Sequence, residues 1–311
     1  MKKQNPQSKQ PRAKPLPTPN SRIRNIFAIT GMLIAVIALF NFNLLNNSYK
    51  EIKTTQSEIA GLEYSHQIAR TIEHLQLHRG LTAGYLSGNL FLKETIVAEE
   101  TQIEAQIKTV DALSAKAGFM LNSTDKGNWT LIKTGWQALQ GRSASLSVKE
   151  SFDLHSGLIR KTINLLGDVS DHSGLTTDQN ISVNHLGNLT TFAIPNLIEH
   201  LGQLRAGVMT VMSQKRIANE DKVNLNNLKA HIKEALEYIQ HDLADLTDLL
   251  ATSPEFGAKI GKFSPELEQN INDIFKLTDD IASPPHQEVK ADQLFSKFSV
   301  PVKNGYALLD V

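Results

Sequence analysis

Arg79 and Arg205 are the residues whose type and position most directly suggest chemistry in this chain. Each lies in a stretch where apolar residues recur at intervals of three and four, a spacing that predicts an amphipathic helix. Each arginine falls on the apolar face of its predicted helix. A guanidinium buried among aliphatic side chains needs an anionic partner, because an unpaired buried charge is strongly destabilising. The two positions therefore predict either buried ion pairs or contacts to a bound anion.

The anion site and the buried ion pairs each predict specific partners for the arginines. A guanidinium binds a planar anion through two parallel hydrogen bonds, so two arginines on facing helices would suit nitrate, nitrite or a small carboxylate. In the alternative, each arginine pairs with an acid inside its own group of helices. Asp168 and Asp310 are the candidate acids, because each stands near the end of one half of the chain in a similar sequence context.

His78 and Gly80 flank Arg79 directly, and we include both as candidate contacts of the anion. Gly80 also begins a line of three glycines, with Gly84 and Gly88, at intervals of one helical turn. Each glycine inside a helix costs about 1 kcal/mol relative to alanine. Such a line indicates that another helix or a ligand comes close at this point.

The pair His74 and His78 has the four-residue spacing that a metal ion can use on one helical face. Zinc proteases with this spacing carry glutamate directly after the first histidine, whereas this chain has Leu75. From these histidines we predict no metal site, and no other motif predicts a cofactor. The two tryptophans, Trp129 and Trp136, are seven residues apart and are most simply core residues.

The Arg79 stretch is repeated in the second half of the chain. Residues 72–75 read Ile-Glu-His-Leu, residues 198–201 read the same, and each arginine follows at the same distance. A fixed offset of this kind is typical of an internal repeat. The sequence therefore predicts two related structural modules.

Composition limits the fold and the function. The chain of 311 residues is 41% hydrophobic and 6% aromatic, contains no cysteine, and shows no sustained strand-type alternation. We therefore predict an all-α protein without disulfides or cysteine-ligated metals. Phosphate-binding glycine loops, nucleophile motifs and basic-aromatic clusters for nucleic acid are absent from the sequence. We expect a binding protein that is not an enzyme and has no nucleic-acid partner.

Helical periodicity and turn residues predict the order of the elements. Breaks are expected at residues 122–127 and 171–178, at Ser253-Pro254 and at residues 283–285, with a kink at Pro195. The chain then reads as two stacked four-helix modules, residues 50–178 and 179–311, whose predicted helices span residues 50–90, 93–117, 128–141, 149–170, 181–214, 219–251, 264–283 and 288–310.

The N-terminal segment predicts a membrane anchor. Residues 1–24 contain seven basic residues and no acid, and we expect a disordered cytoplasmic tail. Residues 25–45 carry no charge and are long enough to span a bilayer, so they predict a single transmembrane helix with the bulk of the chain in the periplasm. A cleaved signal peptide is the alternative, but residues 41–44 form a poor cleavage site.

The segment around His78-Arg79-Gly80, residues 63–89, resembles the periplasmic sensory regions of bacterial methyl-accepting chemotaxis receptors, in particular the nitrate- and nitrite-sensing (NIT-like) helical type. The resemblance continues through residues 152–159, 171–178 and 195–205 and covers nearly all of residues 50–310. In that family the helix with the Arg-Gly motif helps to bind the signal anion. The resemblance therefore implies Arg79 in this role and, through the repeat, Arg205.

What the resemblance implies is a membrane-anchored sensory module of the bacterial inner membrane that binds a small anion, and we also expect a homodimer. The chain departs from the family at His78, where a basic or polar residue usually precedes the Arg-Gly pair. It also shows no second span, linker or output domain, so we expect the signalling output to lie elsewhere. The alternative is a structural or adaptor protein that docks a partner in the envelope and uses its arginines as internal ion pairs.

Overall fold

The computed structural model describes residues 19–114, 121–178, 180–213, 217–246, 251–283 and 291–309. Within these ranges the chain is helical and contains no strand, so the prediction of an all-α protein is confirmed. The helices are α1 Pro19–Leu86, α2 Lys93–Ser114, α3 Ser123–Gln140, α4 Val148–Ser173, α5 Ile181–Asn188, α6 Ile194–Ser213, α7 Asn219–Asp245, α8 Pro254–Ala282 and α9 Ala291–Leu309.

The chain divides into two compact units, residues 1–53 and 54–311. The described part of the first unit belongs to α1, and its apolar side chains are exposed. Among the described helices, α1 is long and apolar enough to cross a membrane, a test of length and composition that a signal sequence near an N-terminus also passes.

The second unit contains two hydrophobic clusters. One is built from α1, α2, α3 and α4 and includes Trp129 and Trp136, which are buried as predicted. The other is built from α6 to α9 and the segment before α6, and Leu309 packs against both clusters. The division into two modules related by the repeat stays a prediction.

Several helix ends differ from the predicted ones because capping residues were misread as breaks. The predicted break at residues 122–127 is wrong: Asn122 caps α3 by accepting a hydrogen bond from the Asp125 amide, and the helix begins at Ser123. Helix α4 runs on to Ser173 and ends at Gly174, which has φ 99°. Helix α8 begins at Pro254, earlier than predicted, because a proline is well accommodated in a first helical turn.

The kink predicted at Pro195 takes the form of a π-helical segment, Leu189–Ala193, between α5 and α6. Proline lacks the amide hydrogen that an uninterrupted helix would use, and a wider turn absorbs the missing bond. Helix α6 then packs against α7 and α9. Its residues Glu199 and Gly202 lie against α1, and its Arg205 contacts α9, all at buried or partly buried positions.

Candidate functional site

The structure brings Arg79 on α1 and Arg205 on α6 into one buried polar region. Their exposed fractions are 2% and 8%. Burial and, to a lesser extent, the positive charge of Arg79 lower the pKa of Arg205, so the two guanidiniums interact electrostatically. The sequence-based prediction that both arginines lie on buried helix faces is therefore correct.

Each arginine has the same pair of neighbours on the last helix of its half. Arg79 Nη1 donates to Ser156 Oγ at 2.8 Å, and its guanidinium lies 5.2 Å from the centre of the Phe152 ring. Arg205 Nη1 donates to Ser299 Oγ at 2.8 Å, with its guanidinium 4.6 Å from the centre of the ring one turn earlier, Phe295. Sequence analysis missed this Phe-x-x-x-Ser pair, although it occurs in α4 and again in α9.

Glu199 on α6 is the carboxylate partner of Arg79. The pair is bidentate, with Nη1–Oε1 and Nη2–Oε2 distances of 2.6 and 3.0 Å. Gln76 and Gln203 also donate to the carboxylate, at 2.8 and 2.7 Å, and the Tyr306 hydroxyl donates to Gln76 at 2.7 Å. Every oxygen of this buried carboxylate is thus satisfied, as burial of a charge requires.

This geometry corrects the predicted acid partner of Arg79. Asp168 lies 3.5 Å from the Asn128 amide nitrogen and does not contact Arg79. Asp310 lies outside the described residues. The true partner, Glu199, comes from the other half of the chain, because the packing of α1 against α6 places the two stretches of the repeat face to face.

Arg205 has no carboxylate within ion-pair distance among the residues that the structure describes. Glu73, which corresponds to Glu199 in the repeat, pairs instead with Arg70 on its own helix at 2.6 Å. Burial and the nearby Arg79 lower the pKa of Arg205 to about 10, so it remains protonated at neutral pH. Counting the described residues alone, the buried region therefore holds two guanidiniums against one carboxylate.

Glycines leave room for the two arginine side chains between α1 and α6. A Cβ added at Gly202 would lie 2.8 Å from Arg79 Nη2, and one added at Gly80 would lie 3.4 Å from Arg205 Nη2. Gly80 thus lies beside the second arginine, and its role as a contact of the anion stays a prediction. Gly84 meets Leu92 instead, and Gly88 lies beyond the end of α1 at φ 107°, so the three glycines do not form one contact line.

His78 does not lie free beside Arg79 but belongs to a buried histidine pair. His155 Nδ1 is 2.6 Å from the Ser151 carbonyl oxygen and must donate to it, so its Nε2 accepts from His78 Nδ1 at 2.8 Å. His78 Nε2 then faces Glu100 Oε1 at 3.6 Å. Burial lowers the pKa of His78 and lowers that of His155 to about 3, and therefore both rings are neutral near pH 7.

The other histidines of the repeat, His74 and His200, lie at helix contacts. His74 pairs with Glu99 on α2 at 2.5 Å. His200 stacks on His231 of α7 with ring centres 5.3 Å apart, and burial lowers the pKa of His200. In the second half, Leu204 and Phe298 occupy the positions that His78 and His155 occupy in the first half.

We predict stability effects of very different size when either arginine is replaced by methionine, which keeps the aliphatic volume. Arg79→Met leaves the Glu199 carboxylate buried without its ion-pair partner and should lower the free energy of unfolding by about 3–5 kcal/mol. Arg205→Met leaves no stranded acid and should change it by less than about 1 kcal/mol. Urea denaturation of the full chain in mild detergent measures both. Equal losses in the two variants would contradict the assignment of Glu199 to Arg79 alone.

We also predict acid sensitivity from the His78–His155 pair. The folded-state pKa values lie below the unfolded value of 6.5, so the unfolded chain binds protons first. Stability is therefore full above about pH 6.5 and falls as the pH drops towards 3, by up to about 1.4 kcal/mol per pH unit and histidine. His78→Leu/His155→Phe, which copies the second half, should flatten this decline in urea denaturation, whereas His66→Gln at an exposed position should not. An unchanged decline in the double variant would show that other groups carry it.

Comparisons with known proteins cover the part of the chain that carries both arginines. A family model described as nitrate and nitrite sensing (NIT) matches residues 70–258, which include both arginines. The solved structure of the NasR transcription antiterminator is similar over 88% of this chain and 71% of that chain, with a TM-score of 0.62 and 14% identity, a likeness of fold. No curated protein matches the chain. Because the matched segment spans more than half of the sequence, the chain belongs to the nitrate and nitrite sensing family.

Proposed function

We propose that this protein senses nitrate or nitrite by binding one monovalent anion between Arg205 and Arg79. The observation that carries the proposal is the charge of the buried site, in which Glu199 compensates only one of the two guanidiniums. A buried cation without a counter-ion is unfavourable, and a bound monovalent anion removes the imbalance. A divalent anion would reverse it, so the site should discriminate against sulfate.

Of the two arginines, Arg205 offers the stronger contact to the anion. A guanidinium carries five N–H donors, and among the described residues only Ser299 Oγ accepts from this one. The donors left over form the fork that fits two oxygens of a planar anion. Phe295 covers one face of the guanidinium and Gly80 keeps α1 free of a side chain there, so the fork is held without being blocked.

The site gives a route from binding to movement. Arg79 holds α1 to α6 through Glu199, and Arg205 holds α6 to α9 through Ser299. An anion that accepts hydrogen bonds from both guanidiniums weakens the ion pair between Glu199 and Arg79 and strengthens the contact between α6 and α9. Interfaces between packed helices respond to such changes by small shifts, which a sensor can transmit along α1.

Calorimetric titration of the full chain in mild detergent tests this function. We expect saturable binding of nitrate or nitrite, weak or no binding of sulfate, and loss of binding in Arg205→Met, whose fold should be intact. Arg70→Met removes an arginine of α1 that pairs with Glu73 near the surface, and it should bind as the wild type does.

Binding that is absent in the wild type, or equal in wild type and Arg205→Met, would contradict the proposed site. The first outcome would favour the alternative of a structural or adaptor protein. A rise in melting temperature with anion concentration gives an independent measurement, because a ligand of the folded state stabilises it.

We further propose that α1 anchors the module in the bacterial inner membrane as a single span, with the N-terminus in the cytoplasm. Support comes from the exposed apolar residues of its N-terminal part and from the basic residues that precede them in the sequence. Positive charge concentrates on the cytoplasmic side of membrane spans. The homodimer and any chemotaxis context stay predictions from the resemblance.

We predict that an alkaline phosphatase reporter, which is active only outside the cytoplasm, will be active when fused after Val311. A reporter that is active only in the cytoplasm should be silent at the same position. Replacing the basic residues Arg22 and Arg24 by glutamate should reduce the difference, because it weakens the charge bias that sets orientation. Activity of the cytoplasmic reporter in the wild type would overturn this topology.

A further inference from the structure

A second polar cluster lies away from the arginines, where α5 meets the C-terminal end of α7. It consists of His185 on α5 and His241, Asp242 and Asp245 on α7. His185 Nδ1 is 3.2 Å from Asp242 Oδ1, and its Nε2 is 4.0 Å from Asp245 Oδ2. His241 Nδ1 is 3.4 Å from Asp245 Oδ2 and 3.7 Å from Asp242 Oδ1.

The separation between His185 and Asp242 matches an edge of a metal coordination shell. Ligands about 2.0–2.2 Å from a tetrahedral ion lie about 3.3–3.6 Å from one another. The separation of 3.2 Å between His185 Nδ1 and Asp242 Oδ1 falls near this range. One ligand atom each from His185, Asp242 and Asp245 lies within 4.8 Å of the others.

The charges of the cluster call for a cation. Within the described ranges, neither Asp242 nor Asp245 has a lysine or arginine within ion-pair distance, and imidazoles are their only basic neighbours. Asp242 is 4% exposed, and its Oδ2 has no partner with hydrogen-bond geometry in the described part of the chain. A buried carboxylate oxygen without a donor is costly, and a metal ion would satisfy it.

We propose that this cluster binds one divalent transition-metal ion of the zinc type, with His185, Asp242 and Asp245 as ligands and a solvent molecule in the fourth position. The imidazole of His185 favours such an ion over calcium or magnesium, which prefer oxygen ligands alone. The site differs from the His74 and His78 pair, from which the sequence predicted no metal. Its effect would be to fasten α5 to α7 just before the π-helical segment that leads into α6.

Titration of the full chain with zinc chloride, in buffer free of nitrate and nitrite, tests the proposal without reference to anion binding. We expect saturation at one equivalent in calorimetry and, with cobalt chloride, the strong visible absorption of a tetrahedral complex. His185→Gln and Asp245→Asn should each weaken binding at least about tenfold, the effect typical even of residues that only support metal ligands. Both positions are partly exposed, so the fold should tolerate the changes.

His231→Gln is the matched control, because His231 lies on α7 beside Glu234 but outside the cluster. It should bind zinc with the affinity of the wild type. The proposal is overturned if the wild type shows no saturable binding, or if either His185→Gln or Asp245→Asn keeps the affinity of the wild type. Circular dichroism of each variant verifies that the helical content is unchanged.

Discussion

The buried ion pair between Arg79 and Glu199 is the constraint on which the polar core depends. It joins α1 to α6 through two parallel hydrogen bonds, and Gln76, Gln203 and Ser156 satisfy remaining donors and acceptors. Two charges removed from water are tolerated only with such geometry. A shift of one helix along the other would strand a charge, so the pair fixes the position at which the two stretches of the repeat meet.

The repeat matters most where its two copies differ. Both arginines contact a serine and a phenylalanine on the last helix of their half. Among the described residues, however, only Arg79 has a carboxylate partner. Glu73 pairs with Arg70, and no described carboxylate pairs with Arg205, which is why we propose Arg205 as the main contact of the anion. The two halves also differ at the positions of His78 and His155. These form a buried neutral pair in the first half, whereas the second half has apolar side chains at the corresponding positions.

The segment from α5 to α6 connects the two proposed sites. It begins beside the His185 cluster, passes through the π-helical turn at Leu189–Ala193, and then carries Glu199 and Arg205 into the polar core. A metal ion at one end would fix α5, while an anion at the other end would act on α6. The wider turn between them is the natural place for a small displacement, because its hydrogen bonds are less regular than those of an α-helix.

The sequence by itself determined the helical class, the buried faces of α1 and α6, and the presence of both arginines on those faces. These features are local: a period of 3.6 residues and a charge that falls on an apolar stripe are visible in any short window. The start of α3 could not be predicted from the sequence, because an asparagine such as Asn122 can either cap a helix or mark a break. Only the tertiary structure decided that Arg79 pairs with Glu199 rather than with Asp168. That choice depends on which helices lie side by side, and spacing along the chain carries no information on how distant helices pack.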